Sequence, residues 1–443
     1  MNQLPLVFGP LLPVPNTYLE PEQQAMLAAL NDKDYGRLRE LISNADETYC
    51  PQRNVSRINP DVAPNWESIA EHLLMQPHAS VLRALIDNTL PHRALHELFK
   101  KVRTPVKPTQ WTAGKPDCVV YGNSIADRSG DGMDSNDFER TMDAVEALTC
   151  TTMRPGNPFA SNQALAALRN DFGRAHANLT GNAQNTDFWA KISASEARNL
   201  PHIGRAFVVS NRARIPIARQ NNQQMMFRTE IGWTKEWPNR AQTHRRLYPA
   251  SPPIFRLVQC AVAALFPNRG FRMHQFAIFE ITRPEEALIG ESIATHLAAG
   301  YITYGGFNVD TAGVTASRIL TDRTVDWVQV STDAIKSSYF RHYQINLPAR
   351  EAFIAARKQQ MQAREAAQKR VEQMTHLTAV CTTAAESLID QNVALDQAIM
   401  PIQSDLDSID RIYQDLKKQA IRRDKAEHAI TELASSLAAL CGE

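Results

Sequence analysis

Residues Val371–Ala420 read VEQMTHLTAVCTTAAESLIDQNVALDQAIMPIQSDLDSIDRIYQDLKKQA. Stepping three and then four residues picks out Val371, Met374, Thr378, Cys381, Ala385, Leu388, Asn392, Leu395, Ile399, Ile402, Leu406, Ile409, Tyr413, Leu416 and Ala420. Most of these are apolar, and a 3,4 alternation of apolar residues marks a helix that buries a narrow stripe against another helix. With Val371 at heptad position a, the d positions are Met374, Cys381, Leu388, Leu395, Ile402, Ile409 and Leu416, and Asn392 falls at an a position. A single Asn at a fixes register and favours two-stranded pairing at some cost in stability. Pro401 lacks a backbone donor and clashes with the preceding turn, so a break or kink is expected there. Two forms satisfy the pattern. One is a kinked coiled coil with another chain. The other is a hairpin in which Pro348–Ala398 folds back on Pro401–Leu440, and the aptness of proline at a helix start favours it. Beyond Ala420 the seam holds Arg423 and Glu427, before Ile430, Leu433, Leu437 and Leu440 resume it.

Upstream, Met1–Pro21 is an apolar arm with Leu4, Leu6, Val7, Phe8, Leu11, Leu12 and Val14 between prolines. Proline blocks helix and central strand, so the arm is expected to run extended, docked on its own domain or on a neighbouring subunit. Residues 22–200 read as a helical domain. Expected helices are Glu22–Ala45, Trp66–Met75, Ser80–Asn88, His92–Val102, Asp137–Cys150, Asn162–Ala177 with Ser161 as N-cap, and Phe188–Leu200 ending at Pro201. Val102–Gly122 reads as a linker whose one strand-like piece is Cys118–Tyr121. Residues 201–347 read as an arginine-rich α+β region. Phe207–Val209, Ile215–Ile217 and Phe276–Ile281 look β-like, Phe255–Phe266 and Glu285–Ala299 helical, and Tyr301–Asn308 and Val325–Val330 extended. Residues 348–443 form the tail. The fold class is therefore mainly α with a minor β component, a multi-helix body plus a C-terminal coiled-coil or helical-hairpin tail.

The chain has 443 residues, enough for two or three domains, and its net charge of +1 gives no overall attraction to nucleic acid or anionic membrane. No apolar run approaches the ~18 to 20 residues of a spanning helix, so no membrane partner is expected. The proline-broken N-terminus lacks a basic region and does not resemble a signal peptide. Six scattered cysteines without a CxxC pair fit free thiols in a reducing, cytoplasmic setting.

Charge is concentrated locally. Residues 201–272 hold twelve cations, eleven of them arginine, against two acids, Glu230 and Glu236. Guanidinium groups bind phosphate bidentately and stack on bases. Aromatic residues and the amide run Gln220–Gln224 are interleaved with them, the residue mix of a groove for single-stranded nucleic acid. The candidate nucleic-acid-binding residues are Arg205, Arg212, Arg214, Arg219, Arg228, Arg240, Arg245, Arg246 and Arg256, with Trp233, Trp237 and Tyr248. The competing reading is that these arginines pair with the acidic surplus elsewhere in the chain or across an interface. The start of the tail is also basic, with Arg350, Arg357, Lys358, Arg364, Lys369 and Arg370, either as a solvated helix face or as a phosphate contact.

Other motifs are weak. Asp127–Asp134 begins like a calcium loop but has Asp134 where an aliphatic residue belongs and Phe138 where the final Glu belongs, so it reads as a polar turn into a helix. His92 and His96 share a helical face, yet no third ligand is signalled and no metal is expected. Walker A, GxGxxG, GxSxG and paired CxxC motifs are absent, and no cofactor or catalytic residue is proposed.

In layout, this order of parts is similar to the nucleocapsid and coat proteins of RNA viruses: an apolar arm (Leu4–Val14), a helical body, an arginine-rich middle (Arg205–Arg272) and a self-associating tail (Val371–Leu440). The resemblance implies a self-assembling structural protein of the cytoplasm or virion that binds single-stranded RNA without sequence specificity. Its partners would be further copies of itself and RNA. A protein-only assembly or adaptor protein oligomerising through the tail is the second expectation, and an enzyme without a recognisable motif the third.

Overall fold

The computed structural model describes residues 16–92, 118–182, 184, 187–245, 251–314, 320, 324–334 and 338–440. The chain divides into two compact units, one up to Ile354 and one from Ala355. The arm before residue 16, the expected helix after His92, and the tip of the arginine-rich segment at 246–250 lie outside the described residues.

Helix α1 (Pro21–Asn31) and helix α2 (Tyr35–Tyr49) replace the single helix expected over Glu22–Ala45. Lys33 between them takes a positive φ of 57°, which ends one helix, and the Asp34 carboxylate caps the next by accepting from Arg37 N–H. Helix α3 (Trp66–Met75) and helix α4 (Ala79–Ile86) follow as the apolar spacing predicts. Strand β1 (Val119–Ala126) comes next, buried along its whole length. Helix α5 (Ser135–Thr149) is capped by Asp134, and helix α6 (Asn162–Thr180) by Ser161. The calcium-like loop is thus a turn: Asp127 accepts from the N–H groups of Ser129 and Asp131, and Asp134 opens α5.

Helix α7 (Ala194–Gln220) overturns two expectations. It does not end at Pro201, and Phe207–Val209 and Ile215–Ile217 are helical rather than β. Its start is set by a capping box between Ser193 and Glu196, and Leu200, Phe207, Val208, Asn211, Arg214, Ile215 and Ala218 form its buried face. Pro201 and Pro216 each remove one helical hydrogen bond, from the carbonyls of Ala197 and Arg212. Pro216 and Ala197 are exposed, so water can reach the freed groups where the helix faces solvent.

Strand β2 (Glu230–Thr234), helix α8 (Trp237–Arg245), helix α9 (Pro253–Leu265), strand β3 (Arg272–Glu280) and helix α10 (Pro284–Leu297, with Pro284 at its first turn) complete the body. The expected extended segments differ: residues 302–304 form a short 3-10 turn, and residues 327–334 form helix α11 (Trp327–Ala334). The strands make one antiparallel sheet in the order β2-β1-β3, with a bulge where Val120 and Tyr121 of β1 face Phe279 and Ala277 of β3. The strand-like piece expected at Cys118–Tyr121 thus opens the central strand, which runs on to Ala126, while residues 102–117 of the expected linker lie outside the described residues. Both the sheet and α7 join residues on either side of position 200, so the boundary expected there does not separate two bodies.

Among the described residues, two large apolar clusters and two small ones form the core. Of the large ones, one gathers α1–α4 and α10 around Val120, Ile231 and Ile278 of the sheet; the other gathers α5, α6, α7 and α9 around Phe138, Phe207 and Phe255. Each such buried side chain contributes roughly 1.5–3 kcal/mol.

Helix α12 (Ser338–Leu440) runs for 103 residues without interruption, so no hairpin forms at Pro401. Pro401 falls at heptad position c, away from the a/d seam, and both it and Gln397, whose carbonyl it leaves unpaired, are exposed. Water can satisfy that carbonyl, which is the condition under which a helix carries an internal proline. From residue 355 onward nearly every described side chain of this helix is exposed.

Candidate assembly interface and nucleic-acid surface

Three arginines of α7 recur at seven-residue intervals, Arg205, Arg212 and Arg219, and so lie along one helical face. Helix α5 presents Glu139, Asp143 and Glu146 with the matching spacing. The two helices pack antiparallel: Gly204 lies on Thr149, Arg212 binds Asp143 at 2.6 Å and Glu146 at 2.9 Å, and Arg219 binds Glu139 at 2.9 Å and Asn136 at 3.1 Å. Arg154 closes the network on Glu139 and Asp143. The Arg219 hydrogen bond, helped by Arg154, holds the Glu139 carboxyl below its usual range. Burial opposes ionisation of Glu146, yet the Arg212 and Asn157 hydrogen bonds outweigh it and lower its pKa. Burial likewise opposes the Arg212 charge, and the two carboxylates outweigh it.

Three of the nucleic-acid candidates are in the interior. Arg214 donates to Asn211 Oδ1 at 2.7 Å and to the Met226 carbonyl at 3.1 Å. Arg228 donates to Gln23 at 2.5 Å and Glu20 at 3.3 Å. Arg256 reaches Glu196 at 3.4 Å and lies over the Phe188 ring. All three are at most 3% exposed, and burial lowers the pKa of each guanidinium. In this fold they face protein, not solvent, and cannot contact a phosphate backbone.

Arg240 donates to the Tyr121 hydroxyl at 3.1 Å, Trp237 packs 5.3 Å from the Tyr121 ring, and Trp233 packs partly buried against the first core cluster. Arg205 is exposed. The Arg245 side chain, Arg246 and Tyr248 lie outside the described residues. The structure thus gathers Arg212 and Arg219 into one ion-pair seam, and disperses the remaining described candidates between core and surface.

Sequence reasoning did not find a buried polar chain beside the sheet. The Tyr121 hydroxyl bonds His244 Nε2 at 2.9 Å, and His244 Nδ1 bonds the Ser251 hydroxyl. Burial, with Arg240 adding to it, pushes the His244 pKa down to about 3, so the imidazole stays neutral at any ordinary pH. All three residues are at most 2% exposed. Two buried carboxyls were also unmarked by any motif. Burial raises Glu230 to about 7, against the Asn123 hydrogen bond, and raises Glu291 to about 8. Among the described residues no three His, Cys, Asp or Glu side chains gather around a metal-sized site, and no helix is long and apolar enough to cross a membrane.

The second candidate surface is the tail helix. Met374, Leu388, Leu395, Ile399, Ile402, Leu406, Ile409 and Leu416 of its a/d seam are all exposed, as are Leu377, Ile389 and Ile412 at the flanking e and g positions. Apolar residues on both flanks widen the stripe beyond a strict a/d seam. Lys358, Arg364, Lys369 and Arg370 on the same helix are exposed as well. No family model matches the chain, and no curated protein or solved structure is significantly similar to it.

Proposed function

We propose that the protein is a self-assembling structural protein whose copies join through the helix from Val371 to Leu416. The observation that carries this reading is the exposed a/d seam. Apolar side chains in that number, aligned over about a dozen helical turns, are unstable in water and are covered when a like helix interlocks with them. Asn392 supports a partner of the same sequence, because an Asn at a is best matched by another Asn at the same level. The test is the mass of the full-length protein by light scattering, beside the variant Leu395→Asp/Ile402→Asp. The parent is expected as an oligomer and the variant as a monomer with unchanged circular dichroism from the body. A monomeric parent, or a variant of undiminished mass, would sink the reading.

A single-stranded RNA ligand is the second reading, supported by the exposed cations Lys358, Arg364, Lys369 and Arg370 ahead of the seam. Pairing of the tails would bring two such clusters together and raise local positive charge. Replacing Arg364, Lys369 and Arg370 by Gln should weaken binding to a single-stranded RNA and flatten its dependence on salt. Equal affinity and slope in parent and variant would count against it.

A further inference from the structure

Charge along α12 is sorted into bands. Residues 355–370 hold five cations and one acid, residues 371–416 eight acids and one cation, and residues 417–425 five cations and one acid. Every charged side chain described in these bands is exposed. Opposite charges three or four residues apart would meet on the helix itself. Sorting prevents that: among the described residues, Asp415 at the band edge is the one acid of 371–416 ion-paired along the helix, to Lys418 at 3.3 Å. With Val371 at heptad position a, Glu386, Asp390, Asp407 and Asp415 fall at b, c or f. Pairing through a and d therefore leaves them facing outward, as it leaves Lys418 at f and Arg422 at c.

We infer that tails already paired through the seam associate side by side with further copies of this chain, displaced along the helix axis by about 30 residues, or about 45 Å. The inference rests on the pairing proposed above. Charge selects the displacement. Without it, each band of one tail pair stands level with the like band of its neighbour, and like charges repel. With it, Lys358 of one copy comes level with Glu386 and Asp390 of the next, 28 and 32 positions further along, and Arg364 with Asp396, 32 positions further. The same shift brings Asp390 of the first copy level with Lys418 and Arg422 of the next, again 28 and 32 positions along. One displacement thus matches the acidic band to both basic bands at once, whereas an antiparallel neighbour matches it to only one of them. Because the shift is the same from each copy to the next, the contact does not close on itself and growth is open-ended. These contacts act between solvated charges, so they are long-ranged in dilute salt and screened in concentrated salt, while the apolar seam persists in both.

The test follows the mass of the full-length protein, freed of nucleic acid, by light scattering. In about 1 M NaCl, where charges are screened beyond about 3 Å, the mass is expected to be that of the paired unit; in about 0.01 M NaCl, where screening sets in only near 30 Å, it is expected to be about tenfold larger. A monomer in high salt would sink the pairing itself. A paired unit whose mass stays constant in low salt would overturn the displaced contact alone. Arg364→Gln/Lys369→Gln/Arg370→Gln removes three positive charges and moves the net charge from +1 to −2. Poor solubility near zero net charge would persist in that variant, but the low-salt rise is expected to vanish. Glu386→Gln/Asp390→Asn/Asp407→Asn/Asp415→Asn, all outside the seam, should keep the high-salt mass and likewise lose the rise. A rise as large as the parent's in either variant would overturn the inference. Zero-length carbodiimide coupling in low salt reads the displacement. Lys358 is expected to be joined to Glu386 or Asp390, which lie about 42 Å or more from it along one helix and so are reached only from another copy. Coupled products lacking that link would overturn it.

Discussion

Gly204 of α7 lies against Thr149 of α5 so closely that a Cβ added at Gly204 would sit 2.3 Å from the Thr149 hydroxyl oxygen and 2.6 Å from its Cβ. That contact sets the approach of the two helices and hence the alignment of their ion pairs. Alanine would gain about 1 kcal/mol in helix propensity at this position, but the clash falls on atoms next to the backbone and outweighs it. Gly204→Val is expected to lower unfolding free energy by about 1–3 kcal/mol through overpacking. Urea denaturation followed by circular dichroism measures it, and undiminished stability would show that the helices can move apart freely.

Arg212 sits between Asp143 and Glu146, whose side chains are only 6% and 11% exposed. Arg212→Gln leaves both carboxylates partly buried without their cation. A loss of about 1–3 kcal/mol is expected, less than for a fully buried pair because Arg212 is itself reached by solvent. The same variant should leave RNA affinity unchanged, since the side chain is engaged within the body. A variant of parental stability that lost RNA affinity would reverse this assignment.

Glu230 accepts from Asn123 and Glu291 accepts from the Gly313 N–H at 3.2 Å, both inside the body. Burial raises the folded pKa of these acids to about 7 and about 8. A carboxyl whose folded pKa is raised holds its proton more tightly in the native state, so its contribution is full below about pH 4.5 and is lost as pH rises through 7 and 8. The melting temperature should therefore fall as pH rises from about 4.5 to about 8, and Glu291→Gln should flatten that fall. A profile identical to the parent's would show that Glu291 ionises at its ordinary pH.

Cys381 occupies a d position of the tail and is exposed. If two tails pair in parallel and in register, as Asn392 favours, the two Cys381 side chains meet across the seam. Oxidised glutathione should then yield a disulfide-linked dimer on non-reducing gels, absent in Cys381→Ser. Antiparallel pairing separates the thiols and gives no such species.

Parallel pairing also sets Asp405, at g, against the partner's Asp410, at e. Like charges there oppose association, so Asp410→Lys should tighten the dimer by roughly 0.3–0.5 kcal/mol for each of the two contacts. Sedimentation equilibrium at low salt measures the change. Weaker association would favour the antiparallel arrangement.

The tail was legible in the sequence because its information is local: an uninterrupted 3,4 repeat depends on nothing outside the helix. The same holds for α3, α6 and α10, where spacing, the Ser161 cap and Pro284 mark the elements directly. Pro401 and Pro201 misled for one shared reason. Proline's cost depends on whether the carbonyl it orphans can reach water, and that is decided by which side of the helix faces out. The arginine-rich segment shows the larger limit. Seven-residue spacing placed Arg205, Arg212 and Arg219 on one face once α7 was continuous, but the acids that meet Arg212 and Arg219 stand some 60 to 80 positions earlier on α5. Whether a guanidinium meets a carboxylate, a core carbonyl or solvent is a property of helix packing. Composition alone determined that residues 201–272 carry an excess of positive charge; only the tertiary structure decided that Arg214, Arg228 and Arg256 spend it inside the protein, where burial makes partners obligatory.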